Sequence, residues 1–155
     1  MDKVTGMNKS GIEGLQITPL KQIDDERGSV LHMLRSDSEI YIGFGEIYFS
    51  FVKQGVVKAW KRHKVMTQHF AVPVGRIKLV LFDDRNASST KGNIEIIEIG
   101  RPDKYELVKI PPLVWYGFKG IGEGESMIAN CTDIPHDPEE VERCDIDTSD
   151  ISYAW

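Results

Sequence analysis

Long apolar runs are absent from this chain: no stretch approaches the roughly 20 residues that cross a bilayer, so a membrane-spanning protein is not expected. The opening MDKVTGMNKSGIEG has no apolar centre of a secretory leader, and the chain is expected to be cytoplasmic. Cysteine is scarce. Cys131 and Cys144 stand at no metal or redox spacing and are assigned no role beyond that of small apolar residues. A basic excess is missing too: 19 Lys and Arg against 24 Asp and Glu leave a net charge of -5, so nucleic acid is not an expected partner. Any anion has to be held by local cations. Finally, no sustained helical period runs through the sequence.

Short alternating apolar segments separated by turn residues are what the chain contains instead. At 155 residues it suits one domain. Residues 1–14 hold three glycines and few large apolar side chains and are expected to form a flexible arm, followed by a single domain over 15–155. LQITPLKQ and SVLHMLR flank the turn cluster DDERG (24–28) as a hairpin. FGEIYFSFV (44–52) places Glu46, Tyr48 and Ser50 on one face and Ile47, Phe49 and Phe51 on the other. RIKLVLFDDR, NIEIIEI, YELVKI, VWYGF and ESMIANC continue the series of strands. HDPEEVER reads as one short C-terminal helix, with Asp137 at its N-cap, Pro138 at the first helical position and Glu140 completing a capping box. The sum is an all-β chain, either a sandwich or a barrel.

The polar signals concentrate in GVVKAWKRHKVMTQHFAVPVG (55–75). With period two, Val57, Ala59, Lys61 and His63 share one face of a strand, and Val56, Lys58, Trp60 and Arg62 share the other. The spacing resembles the first motif of the cupin superfamily, in which a glycine is followed by two histidines, a glutamate and a second glycine. The count fits from Gly55 to Gly75, but Lys61 stands for the first histidine and Gln68 for the glutamate. Pro111 and Tyr116 fit the second motif, with tyrosine at the place of its histidine. A lysine ammonium has no lone pair and an amide is a weak ligand, so no metal and no other cofactor is expected. The two motifs together imply a double-stranded β-helix, the cupin jelly roll, with their strands paired.

Ordered landmarks from about Leu15 to Trp155 resemble the dTDP-4-dehydrorhamnose 3,5-epimerase family of metal-independent cupins: ITP (17–19), DERG (25–28), GVVKAW (55–60), DDR (83–85), the IPP to YGF segment (110–118), NCTD (130–133) and the closing Trp155. HKVMTQ (63–68) is similar to the related sugar-nucleotide 3,4-ketoisomerases. The resemblance implies a homodimer acting on a nucleoside-diphosphate 4-keto-6-deoxy-sugar and epimerising carbon next to the ketone, in deoxysugar or polysaccharide biosynthesis. The alternatives are a 3,4-ketoisomerase and a cupin that binds such a sugar without turning it over.

The same resemblance implies that Arg27 and Lys58 hold the diphosphate. It sets Lys61 at the position of the catalytic histidine, His136 near that of a tyrosine acid, and Asp147 near that of an aspartate supporting the histidine. Glu46, Tyr48 and Gln68 are expected to contact substrate. Epimerisation needs a base for the α-proton, a donor for the enolate oxygen and an acid on the opposite face. His63 is read as the base and Lys61 as the oxyanion donor; the reverse requires a strongly depressed lysine pKa. Tyr116 is either the acid or a core tyrosine. Trp60, Trp115 and Trp155 are assigned to the core or a dimer contact, and His32, His69 and the glutamates from Glu139 to the surface.

Overall fold

The alternating segments form antiparallel strands in the computed structural model, which describes residues 8, 9 and 11–155. In chain order they are β1 Asn8–Lys9, β2 Gln16–Pro19, β3 Gln22–Asp25, β4 Gly28–Leu31, β5 Glu46–Val52, β6 Val57–His63, β7 Gln68–Val74, β8 Arg76–Asp83, β9 Ile94–Gly100, β10 Glu106–Ile110, β11 Val114–Gly120, β12 Ser126–Thr132 and β13 Val141–Arg143. One sheet has the order β1-β2-β10-β7-β12-β5 and faces another with the order β13-β6-β11-β8-β9. From β5 onward the chain passes repeatedly from one sheet to the other, which is the winding of a double-stranded β-helix.

The inward side chains of both sheets build the main core, among them Ile17, Phe70, Leu79, Leu81, Val108 and Ile128. Two further clusters cover outer faces. Leu31, Met33, Leu34 and Ile40 pack over Ala71, Tyr105 and Leu107 on the six-stranded sheet. On the five-stranded sheet Trp60, Val80 and Ile151 form a cluster with Tyr153 and Trp155. Trp60, only 1% exposed, thereby takes the core role expected of it, and Trp115 and Trp155, partly buried, pack against its cluster.

Several boundaries differ from the sequence reading. The hairpin around DERG is Gln22–Asp25 with Gly28–Leu31, because β2 leaves it to pair with β10. Residues 1–7 and 10 lie outside the described residues. Within the expected arm, however, Asn8–Lys9 pairs with β2 and Ile12 is buried, so packed structure starts before Leu15. The expected C-terminal helix is a single 3-10 turn, Pro138–Glu140. Asp137 does cap it, accepting from the Glu139 amide, but the Glu140 carboxylate is drawn elsewhere. No helix among the described residues is long and apolar enough to cross a membrane.

The strict alternation expected in β6 is broken by a bulge. β11 pairs Tyr116 with Lys61 and Phe118 with Lys58, so three steps of β6 oppose two of β11. The extra residue reverses the phase of the strand, and Lys58 shares the inner side with Lys61 while Ala59 and Trp60 turn to the outer cluster. Gly117 makes the crossing feasible: a Cβ there would lie 2.5 Å from Ala59 Cβ and 2.9 Å from Trp155 Cζ2. Gly75, at φ 80°, makes the tight passage from β7 into β8 against Ser126, where a side chain would collide. Gly117→Ala is therefore expected to destabilise the fold by about 1–3 kcal/mol through overpacking. Calorimetry would register this as a lower Tm, and an unchanged Tm would show that the bulge tolerates a methyl group.

Candidate active site

A cavity of about 370 Å³ opens between the two sheets. Tyr48 and Ser50 of β5, Gln68 of β7 and Asn130 of β12 line one wall. Lys58 and Lys61 of β6, Tyr116 of β11 and Arg143 of β13 line the other. The alternation in β5 places its residues as expected, with Tyr48 and Ser50 inward and Ile47, Phe49 and Phe51 outward and at least half exposed. Among the described residues no carboxylate lines the cavity, against three cations. Among the described residues no group of His, Cys, Asp or Glu is placed to hold a metal ion.

The three cations differ in what holds them. Lys58 Nζ donates to the Phe51 carbonyl at 2.6 Å and to Ser50 Oγ at 3.4 Å, which ties it to the rim of β5. Arg143 is exposed and sits in register with Lys61 across the β13–β6 pair. Lys61 has neither an acceptor nor a carboxylate partner among the described residues. Burial pushes its pKa down, and the charges of Arg143 and Lys58 push it further in the same direction.

Facing them is a chain of neutral polar groups. Tyr116 Oη donates to Gln68 Oε1 at 3.2 Å. Asn130 Nδ2 lies 3.0 Å from the same oxygen and 3.2 Å from Tyr48 Oη, while Asn130 Oδ1 accepts the His69 amide at 3.2 Å. Burial raises the Tyr116 pKa well above the ordinary tyrosine range, with the nearby Tyr48 adding to the rise and the Gln68 hydrogen bond opposing it.

Below this layer His63 and Glu140 form a buried clasp. His63 Nδ1 and Glu140 Oε1 are 2.7 Å apart, and Glu140 Oε2 accepts the amides of Val65 at 2.9 Å and Met66 at 2.7 Å. The Glu140 carbonyl also accepts the Lys64 amide. One residue thus ties the β6–β7 turn to the start of β13. The His63 ring lies parallel to Tyr116 at 6.3 Å but does not reach the cavity wall, and its Nε2 is buried without a partner. Burial lowers the His63 pKa despite the neighbouring carboxylate. Burial would raise Glu140, but hydrogen bonds from His63 and the two amides prevail and hold it below the usual carboxylate value.

Other expected residues lie elsewhere. Arg27 is at the tip of the β3–β4 hairpin, its side chain 83% exposed and paired with Asp25, and it does not line the cavity of its own chain. His136 is exposed, and its amide donates to Glu46 Oε1, which takes Glu46 out of the wall as well. Asp147 faces the C-terminal segment beside Trp155. His69 and Glu140, expected at the surface, are buried at 0% and 7% exposure. Asn130, Arg143 and Glu140 are site residues that the sequence reading did not single out. The NCTD landmark contains Asn130, and strand alternation in VER was the one signal for Arg143.

The two buried histidines set a pH dependence. Burial lowers the pKa of His69 as of His63, so the unfolded chain binds more protons below its ordinary value of about 6.5. Stability is then complete above that pH and is lost as pH falls beneath it; the depressed Glu140 adds a loss that begins only below about pH 4.5. Tm is expected to fall between pH 7.5 and 5.5, and His63→Gln, though less stable at neutral pH, should flatten that slope. A Tm independent of pH in this window would contradict the buried, neutral state of both rings.

Comparison with known proteins agrees with this geometry. No protein-family model matches the chain. A probable low-salt glycan biosynthesis epimerase of Haloferax volcanii is 34% identical over 148 residues, covering 93% of this chain and 94% of that protein. The crystal structure of a dTDP sugar isomerase from Desulfovibrio desulfuricans superposes with a TM-score of 0.93 at 52% identity, covering 96% of this chain and 94% of that one. A dTDP-4-dehydrorhamnose 3,5-epimerase of Elizabethkingia anophelis shares the fold, with a TM-score of 0.80 at 19% identity over 96% of this chain and 85% of its own. With its jelly roll, its cationic cavity and these relatives, the chain belongs to the dTDP-4-dehydrorhamnose 3,5-epimerase family of cupins as a divergent member.

Proposed function

We propose that this protein is a sugar-nucleotide epimerase that inverts carbon beside the ketone of a nucleoside-diphosphate 4-keto-6-deoxy-sugar, in deoxysugar or polysaccharide biosynthesis. One observation carries the substrate class. Among the described residues no carboxylate lines the cavity, so the charges of Lys58 and Arg143 stand uncompensated there inside a chain whose net charge is -5. A diphosphate supplies that compensation, and Arg143 offers it a planar fork. The names of the relatives, an epimerase of glycan biosynthesis and a dTDP sugar isomerase, favour the same chemistry.

Lys61 is the base in this reading, and His63 is its support. The histidine is withdrawn from the cavity and its Nδ1 is committed to Glu140, whereas Lys61 faces the cavity with no partner among the described residues. A base must be neutral to accept the α-proton, and burial is the larger of the causes that lower the Lys61 pKa. Substrate filling the cavity excludes more water and strengthens that cause, while a diphosphate on Lys58 and Arg143 works against it. Removal of the α-proton leaves an enolate whose oxygen meets cations and amide donors in a partly dry pocket. Lys58 and Arg143 hold the diphosphate, in place of the Arg27 expected from the sequence.

The protein acts as a homodimer of single cupin domains in the cytoplasm. Ile47, Phe49 and Phe51 project from the outer face of the edge strand β5 with at least half of their surface exposed, a row that a second copy would cover. Both cysteines are free thiols, as a reducing compartment keeps them.

Two experiments test this reading. With dTDP-4-keto-6-deoxyglucose in deuterated water, NMR should show deuterium entering the carbon that is inverted, while transfer of the carbonyl would instead indicate a ketoisomerase. Lys61→Ala should slow that exchange by roughly a hundredfold or more while dTDP binding by calorimetry is retained; an exchange rate near wild type would remove Lys61 from the base role. For assembly, light scattering should give a dimer for the native chain and a monomer for Phe49→Glu, and a dimeric variant would place the interface on another face.

A further inference from the structure

The direction of the hydrogen bonds in the cavity wall is fixed by one backbone group. The His69 amide can only donate, so the Asn130 atom that it meets at 3.2 Å is the side-chain oxygen. Asn130 must then present its NH2 to Gln68 and Tyr48. Gln68 Oε1 receives both that NH2 and the Tyr116 hydroxyl, which uses the Tyr116 proton and turns the Gln68 NH2 away from both donors. At the other branch the Tyr48 oxygen is an acceptor, and its own proton has no acceptor among the described residues. Of the two tyrosines lining the cavity, Tyr48 alone has a proton to give.

Tyr48 also stands on the appropriate side. It lies on β5 in the six-stranded sheet, whereas Lys61 lies on β6 in the five-stranded sheet, and both line the cavity between the sheets. A sugar ring held between them meets the lysine on one face and the phenol on the other. We propose that Tyr48 is the catalytic acid of this enzyme, delivering the proton that inverts the carbon from the wall opposite Lys61. The inference rests on the epimerase reading above.

The proton balance closes. Lys61 Nζ takes the α-proton, and the C–H electron pair moves into the enolate. The enolate then takes the Tyr48 proton on the opposite face, the new C–H bond forms from the C=C pair, and the ketone is restored. Lysine ammonium and tyrosinate remain, and solvent returns one proton from the first to the second. Burial raises the Tyr48 pKa, while the donated Asn130 hydrogen bond opposes that rise and stabilises the tyrosinate. Gln68 lines the cavity, and its NH2, which bonds neither Tyr116 nor Asn130, is a donor for the enolate oxygen. Tyr116, the sequence candidate for the acid, orders this relay instead.

The test separates removal of the proton from its return. In deuterated water with dTDP-4-keto-6-deoxyglucose, Tyr48→Phe should take up deuterium at the α-carbon within severalfold of the native rate, retaining the original configuration. Inversion should fall by roughly a hundredfold or more. Exchange and inversion are read from the same NMR sample, so retained exchange also reports a folded, occupied site, and the native enzyme measured alongside tests the epimerase reading separately. Inversion by Tyr48→Phe at the native rate would overturn the assignment. So would loss of exchange together with inversion while dTDP binding is kept, which would place Tyr48 in enolate formation, or loss of inversion in Tyr116→Phe but not in Tyr48→Phe.

Discussion

The pairing of β6 with β11 is the constraint on which the rest of the site depends. Those two strands carry the halves of the cupin pattern, and their register puts Tyr116 opposite Lys61. One extra residue in β6 reverses the alternation between Lys58 and Lys61, so that both lysines enter the cavity. A regular strand would send one of them to the outer cluster around Trp60, away from the cavity. Gly117 is the backbone condition for that bulge, and the C-terminal aromatic residues close over it.

Charge in the cavity is organised by what was left out. The chain is acidic overall, yet its carboxylates are turned away from this space: Glu140 into the clasp beneath His63, Glu46 to the His136 amide. β13 completes the arrangement. Its first residue follows the Glu140 clasp directly, and its pairing with β6 brings Arg143 beside Lys61. Burial and two neighbouring cations then disfavour the protonated lysine, and the same cations favour an anionic ligand. A single cluster thus carries both the lysine proposed as the base and the cations proposed to hold the diphosphate.

The opposite wall works by direction rather than charge. Asn130 and Gln68 are neutral, but a backbone amide at His69 decides which way each of their dipoles faces, and through them which tyrosine keeps its proton. Buried networks of this kind are rigid when every member is satisfied. The His69 backbone that orients the wall belongs to a side chain packed on the outer face of the sheet, so the segment around Ile40 that covers this face also supports the site from behind.

Alternation and turn glycines made an all-β sandwich or barrel legible in the sequence, because a strand's two faces and a tight turn are local properties of neighbouring residues, and the resemblance of two motifs to the cupins selected the jelly roll. Alternation placed Tyr48 and Ser50 on one face of β5, and the resemblance implied that the two motif strands pair. Lys61 and Gln68 were legible as departures from a metal-binding pattern. Three further matters were decided only by the tertiary structure. The bulge that turns Lys58 inward has no composition of its own, since it arises when β6 meets β11. The clasp joins His63 to a glutamate 77 positions away, and the polar wall joins Tyr48 to Asn130 82 positions away. Glu140 looked like a capping residue because its local context offered amides to bond, and the fold presented it with other amides and a buried histidine. Which residue is a base, an acid or a support depends on burial and partners, and in a β-helix these come from strands far apart in the chain.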